Sequence, residues 1–171
     1  FGLTYKAIEE DGFSIADKVE MLLSSDTAVG VTKSMGLGTI AFADVYDRLS
    51  PDYLMVLGDR FELLAAAQAA LIARIPIIHL VGGDVTEGAF DEAIRHSITK
   101  MAHLHFVTNE DSGKRVRQLG ENPKNIYIVG NPGLDHLHHL KLMNRKELED
   151  NLGFTFKKRN VLVTFHSVTL D

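Results

Sequence analysis

The sequence has no cysteine among its 171 residues. That absence excludes disulfide bonds, thiolate zinc sites and a cysteine nucleophile, and it allows a reducing compartment, which we expect to be the cytoplasm. Basic residues are also scarce, because 18 lysines and arginines face 23 aspartates and glutamates and leave a formal net charge of -5. Nucleic-acid-binding domains normally carry a basic face, so we expect no nucleic-acid partner.

Long apolar runs are missing as well. No run approaches the roughly 20 residues that a membrane-spanning helix needs, and no secretory leader is recognisable. We therefore expect no membrane partner. The chain begins with Phe1 instead of methionine, and we expect it to be an internal piece of a longer protein.

Short and nearly continuous apolar runs predict five β-strands, at residues 53–58, 75–81, 104–108, 126–130 and 160–165. Continuous runs, in contrast to alternating ones, are typical of parallel strands that are covered on both faces. The amphipathic stretches between them predict helices at residues 60–74, 91–102, 110–119 and 144–152. This alternation predicts an α/β fold, a Rossmann-like doubly wound parallel sheet with right-handed crossovers.

The two ends of the chain fit this scheme less well. Residues 15–23 and 29–49 predict helices, yet no strong strand precedes them, although such a sheet usually opens with a strand. We expect that first strand to lie before Phe1. We expect the last predicted strand to start a new unit. Residues 1–140 would then form an N-terminal Rossmann-like domain, and residues 141–171 a linker helix with the opening strand of a second domain.

Polar residues and glycines follow the predicted strands, at the edge where parallel sheets bind their ligands. They are Asp59 and Arg60, then Gly82, Gly83 and Asp84, then Asn109, Asn131 and His166. Capping of the following helix is the alternative for each polar residue, and it suffices for Asn109. For Asp59 and Asp84 capping and ligand binding are balanced, because nearby glycines would let a ligand approach the backbone.

The segment 82–100 is the densest polar run. Its glycine-rich loop leads to Asp91, and the predicted helix then presents Glu92, Arg95 and His96. These charges form either a salt-bridged solvated face or an anion site at the helix start, where free N–H groups point at a ligand.

The histidines do not predict a metal site. His136 and His139 could share a helical face, but no third ligand is convincingly spaced, and a solvated helix end explains them better. His103 and His105 alternate at the start of a predicted strand, and we interpret both as structural.

Several of these motifs resemble UDP-N-acetylglucosamine 2-epimerases: VLGDR at residues 56–60, the loop 82–88, DEAIRH at 91–96 and GNPGLD at 130–135. The stretch GGDVTEGAFDEAIRHSITKMAHLHF is similar to the hydrolysing branch, which makes N-acetylmannosamine for sialic-acid synthesis. The resemblance implies two Rossmann-like domains in a glycosyltransferase-B-like arrangement, with UDP-N-acetylglucosamine between them. It also implies anti elimination of UDP to a 2-acetamidoglucal followed by hydration, without any cofactor.

The same resemblance assigns roles to the candidates. Asp59 and Asp91 match catalytic carboxylates that share the acid and base work, and His166 matches a histidine near the substrate. Many relatives carry a glutamate where Val81 stands, and Asp84 is the candidate to replace it. Substrate-binding roles are expected for the remaining candidates, Arg60, Gly82, Gly83, Arg95, His96 and Asn131, with Arg60 also supporting the charge of its neighbour Asp59.

Three other functions stay open. A non-hydrolysing epimerase of the same family would add UDP back in place of water. A metallophosphoesterase would explain the Gly-Asp and Gly-Asn pairs, but it requires a histidine after Asn131, where Pro132 stands. The third is a non-catalytic nucleotide-sugar-binding module. We expect a homo-oligomer, and Gly36 and Gly38 would allow helices to pack closely within or between subunits.

Overall fold

The computed structural model describes residues 3–135, 137 and 140–165. Its centre is a parallel sheet with the strand order β1-β2-β3-β4. The strands are β1 (Leu54–Leu57), β2 (Ile77–Leu80), β3 (Leu104–Val107) and β4 (Ile126–Ile128). Four of the five predicted strands are confirmed, each shortened at one or both ends.

Six helices of the described residues accompany the sheet: α1 (Thr4–Glu10), α2 (Ala28–Leu49), α3 (Phe61–Ile72), α4 (Asp91–Met101), α5 (Glu110–Gln118) and α6 (Arg145–Leu152). The helices predicted from residue 29 onward are confirmed. Asn144 and Glu147 form the capping box that their spacing predicts at the start of α6. No helix among the described residues is both long enough and apolar enough to cross a membrane.

The core lies between α2, α3, α4 and the strands β1 and β2. Its largest members include Tyr46, Val56, Ile77 and Ile98, and five buried alanines of α3 complete it. Small side chains let α2 approach α3, and Gly38 of α2 has no room for a Cβ beside Met21 and Ala65. Gly38 thus provides close packing within the chain, which is one of the two alternatives that the sequence leaves open.

The two faces of the sheet differ in their burial. Val56 of β1 is buried, whereas its neighbours Met55 and Leu57 are 63% and 57% exposed, and Tyr127 of β4 is 46% exposed. With the strand order 1-2-3-4, right-handed crossovers place α3, α4 and α5 on one face. The prediction that every strand is covered on both faces is therefore wrong for β1 and β4 within the described residues.

Two predicted elements are not formed. Residues 15–23 are not a helix, because Met21 packs against Gly38 and the Leu23 N–H donates to Ser34 Oγ of α2 at 3.0 Å. Contacts with α2 thus override the local helix pattern. Residues 160–165 are not a strand, because no described strand pairs with them, and Leu162 is 95% exposed.

Candidate active site

A buried guanidinium joins the carboxyl ends of β1 and β2. Arg95 of α4 forms an ion pair with Asp59, whose carboxylate follows β1, and the two side chains are 7% and 21% exposed. The same guanidinium donates to Thr86 Oγ1 at 2.8 Å and to the Asp84 carbonyl at 2.7 Å, both in the loop after β2. One side chain therefore fixes the position of Asp59 relative to this loop.

Arg60 does not support Asp59 in the way that its sequence position predicts. Its guanidinium is 72% exposed and pairs with both carboxylate oxygens of Glu62, at 3.0 and 3.2 Å. Hydrogen bonding and charge from Glu62 raise the pKa of Arg60, and the charges of Asp91 and Asp59 add smaller contributions. The expectation is corrected in this respect: Arg95 holds Asp59, and the exposed Arg60, paired with Glu62, is a positive charge near Asp59 and Asp91.

Asp91 begins α4. It is half-buried, and its carboxylate has no hydrogen-bond or ion-pair partner among the described residues. A negative charge in the first turn of a helix is stabilised by the helix dipole, so this position keeps a carboxylate available without a cationic partner.

Glu92 and His96 lie beside a cavity of about 730 Å³ that residues 85–90 also line. Glu92 accepts the Thr86 N–H at 3.0 Å and stands 3.9 Å from His96 Nε2. His96 Nδ1 is buried and lacks a hydrogen-bond partner among the described residues. The sequence pattern placed both residues on this helix but did not reveal that Glu92 holds the loop.

Asp84 ties the loop to α5. Its Oδ1 accepts hydrogen bonds from Thr108 Oγ1, at 2.6 Å, and from Ser112 Oγ. Asn109 caps α5 through the N–H groups of Asp111 and Ser112, which confirms its predicted role. This geometry gives Asp84 a structural function, and its role as a substitute for the family glutamate stays a prediction.

The two glycines of the loop are buried. A Cβ on Gly83, whose φ is +78°, would overlap the Ser112 carbonyl, and a Cβ on Gly82 would lie 3.0 Å from His79 Nδ1. The Gly83 carbonyl accepts a hydrogen bond from Arg115. Close packing of the loop against α5 and β2 therefore explains both glycines, and the approach of a ligand to this backbone stays a prediction.

Val81, at the end of β2, has a φ of +66°. A β-branched residue in the left-handed region is strained, by roughly 1–3 kcal/mol. Its N–H donates to the Phe106 carbonyl at 2.8 Å, which holds this conformation in place. The strain lies at the position where the resemblance places a glutamate.

We expect Val81→Gly to be better tolerated than Val85→Gly in the same loop, because Val85 has no positive φ and gains nothing from glycine. The free energies of unfolding of the two variants should differ by roughly 1–2 kcal/mol in favour of Val81→Gly. Urea denaturation followed by circular dichroism measures the difference. Equal losses would show that Val81 is not strained.

His79 is fully buried in β2 and makes two hydrogen bonds through its ring. Nε2 lies 2.8 Å from the Gly58 carbonyl and Nδ1 lies 3.1 Å from Thr99 Oγ1 of α4. Burial lowers the pKa of His79 to about 4, so the ring is neutral near pH 7. Sequence reasoning missed this residue, because a histidine in an apolar run gives no signal of its partners.

His103 and His105 have structural roles, as predicted, although His103 precedes β3 and is not part of it. His103 Nδ1 accepts the Ile77 N–H at 3.2 Å, and buried His105 contacts Glu121 at 3.2 Å through Nε2. Burial lowers the pKa of His105 despite Glu121. No group of three or more metal-ligating side chains occurs in the described part of the chain.

Of the remaining candidates, Asn131 lies apart from this cluster. Asn131 is exposed after β4, and its Oδ1 accepts the Gly133 N–H at 2.9 Å. His166 lies outside the described residues, as do His136, His138 and His139. The structure thus brings Asp59, Asp84, Arg95 and the α4 start together and leaves Asn131 separate.

The family model for UDP-N-acetylglucosamine 2-epimerase matches residues 1–171. A GDP/UDP-N,N'-diacetylbacillosamine 2-epimerase (hydrolyzing) of Campylobacter jejuni is 43% identical over 100% of this chain and 44% of its own length. Polysialic acid biosynthesis protein P7 of Escherichia coli is 39% identical over the same shares. A UDP-N,N'-diacetylbacillosamine 2-epimerase (hydrolyzing) of Legionella pneumophila is 37% identical over 100% of this chain and 45% of its own. The chain spans less than half the length of these relatives.

Solved structures agree on the fold. UDP-GlcNAc 2-epimerase from Neisseria meningitidis, bound to UDP-GlcNAc, gives a TM-score of 0.70 at 20% identity and covers 80% of this chain and 38% of that one. The enzyme from Rickettsia bellii gives 0.69 at 22% identity over 89% and 41%. These likenesses confirm the predicted Rossmann-like α/β fold. The family match over every residue and the relatives above 30% identity confirm the resemblance too: the chain belongs to the UDP-N-acetylglucosamine 2-epimerase family.

Proposed function

We propose that the complete protein is a hydrolysing UDP-N-acetylglucosamine 2-epimerase that makes N-acetylmannosamine for sialic-acid or capsule precursors. The observation that carries this proposal is the match of the whole chain to relatives named as hydrolysing 2-epimerases, at 43% and 37% identity. The polysialic acid biosynthesis protein, at 39% identity, supports the same use of the product.

The reaction requires two proton transfers at one sugar carbon. A base removes the C2 proton, the electrons of the C2–H bond form a C1=C2 double bond, and UDP leaves with the electron pair of the C1–O bond. Water then adds its hydroxyl to C1 while a proton returns to C2 on the opposite face. Asp59 and Asp91 are the carboxylates proposed for this work, because general acid and base groups must be positioned at the reacting carbon.

The environments of the two carboxylates suit different tasks. Asp59 is fixed by the Arg95 guanidinium, so its orientation is set before substrate binds. Asp91 forms no ion pair or side-chain hydrogen bond among the described residues, and it stands at the start of α4 near the charge of Arg60. The exposed guanidinium of Arg60 and the free N–H groups of that helix start are available to the diphosphate.

Other site residues are proposed with narrower roles. His96 has a buried Nδ1 without a partner among the described residues, and Asn131 is exposed beyond β4, so both are kept as substrate contacts. Arg95 acts on substrate through Asp59. Gly82 and Gly83 act by shaping the loop.

We further propose that residues 1–140 form most of one domain and that residues 141–171 lead into a second, which supplies the opposite wall of the site and His166. The coverage of only 44% of the relatives' length supports this division. A homo-oligomer is proposed from the apolar residues that α2 exposes, such as Ile40 and Val29. A cytoplasmic location fits the absence of cysteine.

A second candidate substrate is UDP-N,N'-diacetylbacillosamine. Two of the relatives above 35% identity are named for it. It would undergo the same elimination and hydration, because the reaction centre at C1 and C2 is unchanged.

The test is incubation of the complete protein with each nucleotide sugar. We expect release of UDP together with a free 2-epimerised sugar, detected by chromatography and proton NMR. In deuterium oxide the product should carry deuterium at C2, since the proton returns from solvent. Formation of the epimeric UDP-sugar without net UDP release would favour the non-hydrolysing alternative, and binding without turnover would favour a non-catalytic module.

A further inference from the structure

The ring of His79 stands between helix α4 and the peptide that precedes Asp59. Its Nε2 is 2.8 Å from the Gly58 carbonyl, and its Nδ1 is 3.1 Å from Thr99 Oγ1. Thr99 and His79 are both completely buried, so water does not compete for these groups. The distances alone do not say which atoms carry the hydrogens.

The hydrogens can be assigned from the partners. The Gly58 carbonyl only accepts, so Nε2 must donate to it, because a lone pair facing a carbonyl oxygen at 2.8 Å would be repulsive. Since burial lowers the pKa of His79 to about 4, the neutral ring has one hydrogen, and Nδ1 must accept. The Thr99 hydroxyl then donates to Nδ1. The Arg95 carbonyl, 3.0 Å from Thr99 Oγ1, is a second acceptor that competes for the same hydroxyl hydrogen.

Gly58 is the residue through which this contact reaches the site. Its φ is +89°, and its N–H donates to the Leu80 carbonyl at 3.1 Å. Because His79 donates to the Gly58 carbonyl, both the N–H and the carbonyl of Gly58 are hydrogen-bonded. The peptide between Gly58 and Asp59 is therefore held in one orientation. Helix α4 therefore holds Asp59 twice, through Arg95 at the carboxylate and through Thr99 and His79 at the preceding carbonyl.

We propose that His79 and Thr99 are positioning residues for Asp59, which act by holding the Gly58 carbonyl with the Nε2–H tautomer of the imidazole. This inference rests on the proposed function, in which Asp59 transfers a proton. It concerns residues that do not touch substrate. Loss of the contact should change the orientation of Asp59 and leave the binding surfaces unchanged.

The kinetic test uses four variants of the complete protein: His79→Leu, His79→Gln, Thr99→Val and Thr99→Ser. We expect His79→Leu to lower kcat by about 100-fold with KM within about threefold, the cost of a misplaced catalytic group. His79→Gln keeps a donor toward the Gly58 carbonyl, so its kcat should be about tenfold higher than that of His79→Leu. Thr99→Ser keeps the hydroxyl and should match the wild type, whereas Thr99→Val should not. Wild-type kcat in His79→Leu, or a change in KM alone, would overturn the inference.

A second measurement does not depend on turnover. Nitrogen-15 NMR of histidine-labelled complete protein should show His79 as the Nε2–H tautomer at pH 7, and Thr99→Val should weaken that preference. An Nδ1–H tautomer would refute the inference even if the enzyme is active. If the wild type releases no UDP from either nucleotide sugar, the proposed function fails, and the NMR result still decides how His79 holds Gly58.

Discussion

Asp59→Asn in the complete protein is expected to lower UDP release by about 100- to 10,000-fold, the contribution typical of a positioned acid or base. The amide has the shape of the carboxylate but cannot take up the C2 proton. A continuous assay for UDP with the preferred substrate measures the loss. The matched control is Asp52→Asn, an exposed carboxylate that precedes β1 at the opposite edge of the sheet.

The control should retain wild-type turnover, and circular dichroism should show native helix content for both variants. Release of UDP by Asp59→Asn at a near-normal rate would exclude Asp59 from the chemistry. Asp91 would then be left as the principal carboxylate of the site.

Arg95→Met is expected to lower the free energy of unfolding by about 2–3 kcal/mol and to reduce turnover as well. Breaking a buried ion pair costs about 3–5 kcal/mol, and the partial exposure of Asp59 reduces that figure. Hydrogen bonds to Thr86 and to the Asp84 carbonyl are lost at the same time. Arg60→Met is the matched control, because its pair with Glu62 is exposed and should cost less than about 1 kcal/mol.

A double-mutant cycle isolates the ion pair. Arg95→Met combined with Asp59→Asn should cost less than the sum of the two single changes by about 1–3 kcal/mol, since neither charge is left buried alone. Guanidinium denaturation gives all four free energies. Additive costs would show that Arg95 and Asp59 do not stabilise one another.

Helices and strands were predictable where the sequence has a clear local signal, either a continuous apolar run or a capping box. The strands at residues 54–57 and 77–80 follow from continuous apolar runs, and α6 follows from its Asn144 and Glu147 box. Residues 15–23 were not predictable, because contacts of Met21 and Leu23 with α2 override a helical pattern. Local patterns decide structure only where tertiary contacts do not compete.

The positions of the candidate residues at the strand ends were predictable, and their hydrogen-bond and ion-pair partners were not. The apolar runs placed Asp59 and Asp84 after β1 and β2, as the structure has them, and a ligand site at this edge of the sheet stays a prediction. Adjacency in sequence favoured Arg60 as the partner of Asp59, yet Arg95, 36 residues further along, occupies that place. Which arginine pairs with Asp59 depends on which face of α4 packs toward β1. The sequence of a single segment does not contain that information. The positive φ of Val81 and the hydrogen bonds of His79 are hidden for the same reason.

The open face of the sheet, with Met55, Leu57 and Tyr127, has a thermodynamic consequence. Full burial of an exposed large apolar side chain stabilises a protein by about 1.5–3 kcal/mol, and these side chains, already partly buried, would contribute a part of that free energy. On the proposed two-domain arrangement, any further segment that covers this face adds that free energy to the domain. The stability of residues 1–171 by themselves is then a lower bound for the same residues in the complete protein.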